Sequence, residues 1–408
     1  MDKQDYMYQE NLAFQKELSI LRNDFYYQYI ESKEITLVDF MYKPYEIMSG
    51  DAYTARRISE HKILYLIVDG MGKGLSASLT AMIITTFINH TIDKMIKHES
   101  FSFDILIQET IEFIKPILLD EEALAIDFIC FNAKFHKLHY AKFAMPPLLL
   151  QDKDNNIIKL KSNNPPLSKW QKDYKISTYD VESVSKFLFY SDGIVENRTQ
   201  DGGVYSRFIE EDFKHSFTRE EFKEKFFSKL ADVEDDLTLI FLNKLPLQEE
   251  TTIGKKEIES SFHAIEKANE WYDKIWNTLT QDNLLTTRAE IVFNELLMNA
   301  YEHGNLGIKS EEKHAMLEND TYIDGLLALE KQCSKKIYIQ IYKVQNVYSQ
   351  YIVTEIRDEG EGFDTQLLST IFRNSQKFNG RGVYVSRKNS MGIYYNKKGN
   401  RVLFLNKL

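Results

Sequence analysis

Short apolar runs with strand-like alternation recur between residues 35 and 245, and they predict that this part of the chain is rich in β-strands. Only two long helical patterns interrupt them, at 75–98 and 101–119. Many strand blocks with few long helices are typical of a layered α+β sandwich. The predicted strands read KILYLIVDG (62–70), LAIDFICFNA (124–133), KLHYAKFA (137–144), VSKFLFYSDG (184–193) and DDLTLIFLN (235–243).

An N-terminal helix and a polar linker are predicted to flank this first domain, residues 34–245. In the N-terminal segment, 1–33, the first 31 residues are predicted to form one helix. Its pattern fits a helix lying on its own domain and equally one that pairs two chains or carries a signal. The segment 246–258, which begins PLQEETTIGKKE, is polar and uncapped, and it predicts a linker to a second domain, 259–408. The apolar seam of the N-terminal helix is Met7, Phe14, Leu18, Leu21 and Phe25, with Asn11 at the missing position.

Charge and cysteine content narrow the class of protein. The net charge is -10, from 61 acidic and 51 basic residues, which disfavours nucleic acid or an anionic membrane as the main partner. Cys130 and Cys333 form no CxxC pair, which favours a reducing cytosol over a disulfide framework. The N-terminus is too polar for a signal peptide, and the apolar stretch 75–88 is too short to span a bilayer. We therefore predict a cytoplasmic protein without a membrane span.

Aspartates recur beside the strand-like runs, in SGDAY, VDGMGKG, YSDG and DDLT. Strand ends can project such carboxylates into a common mouth, and hard oxygen ligands suit magnesium or manganese. Two such ions about 3.5–4 Å apart can activate a water and hold a phosphoryl group. Any single Asp-Gly pair also fits a turn, and DGMGKG lacks the spacing of a Walker phosphate loop. The aspartates are Asp51, Asp69, Asp192 and the pair Asp235 and Asp236.

Taken in order, SGDAY, VDGMGKGLSAS, FYSDGIVENR and DDLTLIFL resemble the PPM (type 2C) protein phosphatases, in the SpoIIE-like branch that acts on sigma-factor regulators. The resemblance covers residues 35–243 and implies a PPM-type β-sandwich flanked by helices. It implies that Asp51 and Asp69 are catalytic and bridge two manganese or magnesium ions. It adds the Gly70 carbonyl, Asp192 and Asp235 as further ligands.

Two details qualify that resemblance. Asp235 is preferred to Asp236 because it takes the first place in the family's D-[DN]-x-[ST] pattern. AMPPL at 144–148 departs from the Gly-His that this branch usually has before the proline, which puts only the substrate side in doubt.

A second constellation begins in RAEIVFNELLMNAYEHG (288–304), where Glu295, Asn299 and His303 lie at i, i+4 and i+8 along one helical stripe. A carboxylate and a carboxamide there can act as a base and a magnesium ligand, although a lone stripe also fits a solvated helix face. A strand ending in Asp358-x-Gly360-x-Gly362 and a later Gly380-Arg381-Gly382 accompany it. A buried aspartate can accept from an adenine amino group, and glycines let backbone amides surround phosphates.

The ordered trio ExxxN, DxGxGFD and GRG resembles the GHKL ATPases, and the FD ending resembles the anti-sigma-factor serine kinases. This resemblance, over 259–408, implies a Bergerat α/β sandwich that binds ATP with magnesium. It implies Glu295 as general base, Asn299 as magnesium ligand and Asp358 on adenine. It places around the nucleotide His303, Gly360, Gly362, Gly380, Arg381 and Gly382. The charged stretch 309–335 is longer than in compact kinases of this type, and its role is open.

These resemblances lead to a functional hypothesis with alternatives. The hypothesis is a bifunctional switch that removes phosphate from, and returns it to, a serine or threonine of a STAS-type anti-sigma-factor antagonist. One alternative makes the second domain a nucleotide-gated module that binds a sigma factor, an anti-sigma factor or the STAS partner without transfer. Another has ATP only regulate the phosphatase. A histidine kinase fits less well, since His263 lacks an acidic neighbour and a later proline. The N-terminal helix allows a homodimer.

Overall fold

The chain divides into two compact units in a computed structural model that describes residues 12–13, 15–32, 34–72, 74–346, 348–368 and 381–408. The first unit comprises Met1–Phe25 and Val38–Asn243, and the second Tyr26–Leu37 and Lys244–Leu408. Both contain sheets and helices, which confirms the predicted α+β class.

The first unit holds two antiparallel sheets that pack face to face. Aromatic rings meet between them, as where the Tyr65 and Phe189 ring centroids lie 5.7 Å apart. In order across one sheet lie β3 (Asp51–Arg57), β4 (Lys62–Gly70), β5 (Leu124–Asn132), β6 (Lys137–Phe143) and β9 (Ser177–Asp180). In order across the other lie β2 (Ile35–Lys43), β11 (Leu237–Leu245), β10 (Val184–Tyr190), β7 (Leu148–Asp152) and β8 (Ile157–Leu160).

The described part of the first unit also contains five α-helices besides the N-terminal one. The two predicted helices appear as α2 (Leu75–Lys97) and α3 (Phe103–Ile114). Ser102 begins α3, because its side chain accepts from Ile105 N. The shorter helices are α4 (Gly193–Glu196), α5 (Ile209–Lys214) and α6 (Arg219–Lys229).

Helix α2 extends beyond the apolar stretch that the sequence picked out. By length and composition it is long and apolar enough to cross a membrane, and it alone meets that test among the described residues. Of its most apolar window, 56% is buried inside the protein, as in a core helix that packs on a sheet. Its buried residues include Ile84 and Ile88, both 0% exposed.

The prediction of one helix through residue 31 is wrong after Ile20. Among the described residues this helix, α1, covers 15–20 with a helical pair at 12–13, while Met7 and Phe14 lie outside them. The chain then pairs with β3: Ala55 N donates to Arg22 O at 2.8 Å, and Asp24 N to Ala55 O at 2.9 Å. Leu21 and Phe25 fit a helical seam in sequence, yet both are buried in this non-helical segment.

The second unit is built on a five-stranded antiparallel sheet. In order across it lie β12 (Thr252–Glu259), β13 (Lys336–Gln345), β14 (Gln350–Asp358), β16 (Arg401–Lys407) and β15 (Gly392–Tyr395). The helices are α7 (Phe262–Leu279), α8 (Asn283–Asn299), α9 (Ser310–Glu318), α10 (Tyr322–Glu330) and α11 (Arg381–Lys388). Tyr272 of α7 and Phe293 of α8 stack 3.9 Å apart in the core. A short strand, β1 (Tyr29–Ile30), also belongs to this unit and pairs with Thr36 and Leu37 of the same unit.

The linker prediction is wrong for its second half. Residues 252–258 form most of β12, which pairs along its length with β13, for example Ile258 with Ile337. Of the eight β12 residues only Ile258 is buried. An edge strand needs only one hydrogen-bonded side and few buried side chains, so its sequence reads as polar.

Candidate functional sites

Four predicted aspartates converge at one end of the first unit, and we call Asp51, Asp69, Asp192 and Asp235 the acidic cluster. Asp51 opens β3 and pairs directly with Asp69 near the end of β4. Asp192 follows β10, and Asp235 precedes the adjacent strand β11 of the other sheet. Ser191 joins the two sheets here, because its hydroxyl donates to Asp51 Oδ2 at 2.6 Å. The sandwich therefore brings together side chains that lie far apart in sequence.

In the acidic cluster Asp51 is buried, the other three aspartates are half-buried, and like charges crowd together. Burial raises the pKa of Asp51 well above its usual value, against hydrogen bonds from Ser191 and Thr238, and nearby carboxylates add to the rise. Burial also raises the pKa of Asp69, and the charges of Asp51, Asp192 and Asp235 raise it further. Such carboxylates are stable in ionised form only next to positive charge. The donor set therefore fits a divalent cation.

A hydrated ion fits better than one enclosed by side chains. Among the described residues, no group of three or more His, Cys, Asp or Glu side chains is arranged to hold a metal by itself. Magnesium commonly keeps several waters and uses one or two carboxylates, and a backbone carbonyl such as that of Gly70 can supplement them. The direct pair Asp51 and Asp69 meets that requirement.

Asp236 has a different task from its neighbour Asp235. Its two carboxylate oxygens accept from backbone amides, Oδ1 from Tyr45 N and Oδ2 from Gly50 N, each at 2.7 Å. This use of both oxygens fixes the loop before Asp51 and favours Asp235 as the ligand.

Gly70 sits where the backbone of α2 comes close to β4. A Cβ on Gly70 would lie 2.8 Å from the Ala77 carbonyl oxygen. Any larger residue would push the start of α2 away from the acidic cluster, which explains a glycine directly after Asp69.

In the second unit, a cavity of about 700 Å³ gathers most of the predicted nucleotide residues. Its wall comes from α8, the π-helical turn Ala300–Asn305, α9 and the strands β14 to β16. Pockets for drug-sized ligands are commonly about 300–1,000 Å³. The predicted residues that line it are Glu295, Asn299, His303, Asp358, Gly362 and Gly382.

The remaining predicted nucleotide residues do not line the cavity or cannot be placed. Gly360 does not line the cavity, and its amide donates to Asp358 Oδ1 at 2.8 Å. Gly380 lies outside the described residues, as does the side chain of Arg381, whose backbone begins α11.

Asp358 is the buried carboxylate of this cavity, 8% exposed. Burial raises its pKa to about 6, although the Gly360 amide and Lys398 oppose the rise. The Asn400 amide donates to its carbonyl oxygen at 3.2 Å and fixes the backbone there. The carboxylate is therefore ionised at neutral pH and can accept a hydrogen bond from a ligand.

Glu295 and Asn299 lie one turn apart on α8, with Asn299 Nδ2 3.4 Å from Glu295 Oε1. The first turn of α11 packs directly on this carboxylate, since a Cβ on Gly382 would overlap Glu295 Oε1. A residue larger than glycine cannot occupy position 382 in this arrangement. The backbone of α11 thus covers one side of the candidate base, which still lines the cavity.

The wall that α9 supplies was not predicted from the sequence. Lys309, Lys313 and His314 line the cavity, and the two lysines bring positive charge to it. Buried Glu302 accepts from Lys313 Nζ and from the Tyr322 hydroxyl, which ties α9 and α10 to the turn after α8. The only signal in the sequence was the unusual length of the charged stretch 309–335.

Residues 26–30, an N-terminal segment of the second unit, also pack against this cavity wall. Tyr395, a wall residue, donates its amide to Tyr27 O at 2.7 Å. The Arg387 guanidinium of α11 lies over the Tyr27 ring, 4.7 Å from its centroid. Gln28 Nε2 donates to Thr365 Oγ1 at 2.5 Å. Residues far from the ATP motifs in sequence therefore support this wall.

Comparison with known proteins identifies the class of the first unit as a PPM phosphatase domain. Residues 59–244 match the family model of stage II sporulation protein E (SpoIIE). This part of the chain belongs to the SpoIIE family.

A curated relative and two solved structures are similar to this chain. Phosphoserine phosphatase RsbP of Bacillus subtilis (strain 168) is 24% identical over 169 residues, covering 39% of this chain and 40% of RsbP. The chain thus spans less than half the length of that relative. The RsbU and RsbW domains of Rv1364c from Mycobacterium tuberculosis share 12% identity and a TM-score of 0.46, covering 91% of this chain and 92% of that one. The SiaA-PP2C domain of Pseudomonas aeruginosa shares 17% sequence identity and a TM-score of 0.49. That match covers 59% of this chain and 98% of the SiaA domain.

Proposed function

We propose that the protein is a bifunctional switch: a metal-dependent serine/threonine phosphatase whose second domain is an opposing ATP-dependent serine kinase. The observation that carries the phosphatase is the acidic cluster, in which carboxylates from two sheets, one buried and three half-buried, converge within a SpoIIE-family domain. The observation that supports the kinase is the cavity that gathers Glu295, Asn299 and Asp358.

In the phosphatase step the chain's own residues would hold the metal ions and orient the carboxylates that bind them. Asp51, Asp69, Asp192, Asp235 and the Gly70 carbonyl would hold manganese or magnesium. When bound, those ions activate water and neutralise phosphoryl oxygens. Ser191 orients the Asp51 carboxylate through its 2.6 Å hydrogen bond. Asp236 keeps the loop before Asp51 in place, so the carboxylates need little rearrangement on binding.

In the kinase step Glu295 accepts the proton of the substrate hydroxyl, and positioning by the cavity supplies most of the rate. Asn299 would hold magnesium, which neutralises phosphate charge when ATP is bound. Asp358 accepts from the adenine amino group, and Lys309 and Lys313 of α9 place positive charge on the wall. The proposed localisation is the cytoplasm, where ATP is supplied.

The proposed substrate is a phosphoserine or phosphothreonine on a STAS-type anti-sigma-factor antagonist. The relative RsbP is a phosphoserine phosphatase, which supports the residue type. The test is to incubate the full chain with labelled ATP and a STAS protein, then add manganese. Labelled phosphoserine that appears with ATP and disappears with manganese is expected. If manganese releases no phosphate from a phosphorylated STAS partner, the phosphatase assignment is wrong.

One observation favours a second candidate for the ATP domain. The backbone at Gly382 lies directly against the Glu295 carboxylate, which restricts the approach of a substrate hydroxyl to the candidate base in this arrangement. A nucleotide-gated module that binds a sigma factor, an anti-sigma factor or the STAS partner needs no exposed base. ATP-dependent binding of a partner without phosphate transfer would identify this second function.

ATP affinity is expected to fall as pH drops through about 6. The pKa of Asp358 is raised to about 6, so its carboxylate is ionised above that pH and becomes protonated below it. Protonation removes the acceptor for adenine, and the loss is up to about tenfold per pH unit. Calorimetric titration with ATP from pH 8 to 5 measures the effect. The same titration of Asp358→Asn measures how much ATP affinity changes with pH because the nucleotide itself titrates. Identical slopes in both proteins would contradict the adenine contact.

A further inference from the structure

Glu17 is a buried carboxylate in the short N-terminal helix α1. Its side chain is 0% exposed, although Gln15 and Lys16 just before it are exposed. Glu17 Oε1 accepts from Ser49 N at 3.0 Å and from the Tyr42 hydroxyl. Ser49 belongs to the loop that precedes β3, whereas Tyr42 belongs to the neighbouring strand β2.

The two contacts of Glu17 lead directly to Asp51. Ser49 Oγ accepts from Asp51 N at 3.0 Å, and the Tyr42 hydroxyl lies 3.3 Å from Asp51 O. Glu17 Oε1 is therefore linked through one intervening residue, Ser49 or Tyr42, to the backbone N–H and the backbone carbonyl of Asp51, a proposed metal ligand. Asp236 holds the next amide, that of Gly50, at 2.7 Å. Glu17 and Asp236 thus fix consecutive amides of the same loop.

Stability alone is a poor account of this carboxylate. Glu17 Oε2 is buried without a hydrogen-bond partner among the described residues. Burying a carboxylate with an unused oxygen is costly, and an apolar residue of similar size would pack at lower cost. The arrangement is understandable if the position of the loop matters more than the stability of α1.

We propose that Glu17 is a positioning residue that sets the backbone of Asp51 and thereby the affinity of the acidic cluster for its metal. This inference rests on the proposed phosphatase function and names how that site is held. It also gives the N-terminal helix a defined role: α1 supplies a hydrogen-bond acceptor to the metal-binding loop. Displacing α1 would release the Ser49 amide and the Tyr42 hydroxyl together.

The test compares Glu17→Ala with Glu17→Gln in the full chain. Alanine removes the acceptor, whereas glutamine retains an oxygen for Ser49 N and Tyr42. We expect Glu17→Ala to weaken manganese binding by about 10–100-fold, as removal of outer partners of metal ligands typically does. Glu17→Gln should restore most of it. Calorimetric titration with manganese alone gives the affinity without any turnover, and exposed Gln15→Ala is the matched control on the same helix.

Activity separates positioning from general destabilisation. With saturating manganese, Glu17→Ala should recover most of its kcat on a small phosphate ester, because the metal then holds the loop. A Glu17→Ala protein that folds and binds manganese as tightly as Gln15→Ala would overturn the proposal. So would a loss of kcat that manganese does not restore.

A second variant keeps the test decisive if Glu17→Ala does not fold. Tyr42→Phe removes the hydroxyl that contacts Glu17 and Asp51 while leaving the ring in place, and it should also weaken manganese binding. Wild-type affinity in a folded Tyr42→Phe protein would then overturn the inference. Failure of the proposed function looks different: the wild-type chain itself would neither bind manganese nor hydrolyse the ester.

Discussion

Replacing Asp69 by asparagine is expected to lower manganese-dependent phosphatase activity by at least about a hundredfold, the upper range for loss of a group that only supports a metal ligand. Asp69 pairs directly with Asp51 and is surrounded by three other carboxylates of the acidic cluster. A neutral amide cannot replace its charge towards two cations. Release of phosphate from a phosphorylated STAS protein measures the effect.

The same substitution should stabilise the metal-free protein. Like charges and burial raise the pKa of Asp69, so its ionised form is unfavourable without a cation. Asp69→Asn should therefore raise the melting temperature in chelator and lose the increase that manganese gives the wild type. Exposed Asp154→Asn, which lies outside the acidic cluster, should change neither. Full manganese-dependent turnover by Asp69→Asn would refute the metal assignment, and unchanged ATP binding would show that the second unit is intact.

The acidic cluster could be predicted from the sequence because its aspartates adjoin strand-like runs and because their motifs follow one another in the order found in the PPM phosphatases. It could not predict Glu17, because the contact to Ser49 joins residues 32 positions apart through a hydrogen bond that no local pattern encodes. Glu17 also lies between the apolar seam positions, where a charged residue is normally solvated. Tertiary burial, rather than helical periodicity, decides its role.

The two wrong boundaries have related causes. Leu21 and Phe25 satisfy helical spacing, but pairing of 22–24 with β3 supplies backbone hydrogen bonds that a helix would otherwise make. Strand β12 reads as a linker because an edge strand buries few side chains. In both cases a partner strand distant in sequence determines the local structure.

The residues that α8 and β14 contribute to the cavity of the second unit were predicted from the sequence. Those that α9 contributes were not. Glu295, Asn299 and Asp358 belong to motifs with fixed spacing, so a resemblance could locate them. Lys309 and Lys313 belong to a stretch in which the resemblance offers no motif, and the position of Lys313 depends on its contact with Glu302. Charge without periodicity gave no means to place them.

Replacing Glu295 by alanine is expected to lower phosphate transfer from ATP to the STAS partner by about 10²–10⁴-fold, the usual contribution of a general base. ATP affinity should change little, because Asp358 and the α9 wall remain. Exposed Glu311→Ala, on α9 but outside the cavity wall, is the matched control. Labelled phosphoserine formed from ATP and magnesium in proteins that also carry Asp69→Asn, which removes the opposing phosphatase, measures the transfer, and calorimetric titration measures nucleotide binding.

The two substitutions together test whether the domains oppose each other on one residue. If both act on the same serine, its phosphorylation is a steady state set by two rates, and a change of about 1 kcal/mol in either barrier shifts that rate about fivefold. Wild-type protein with ATP and manganese should consume ATP while little phosphopartner accumulates. Asp69→Asn should drive the partner towards full phosphorylation, whereas Glu295→Ala should leave it dephosphorylated at high ATP. If Asp69→Asn with ATP and the correct partner yields no phosphoserine, the second domain binds without transferring phosphate, and the bifunctional proposal is wrong.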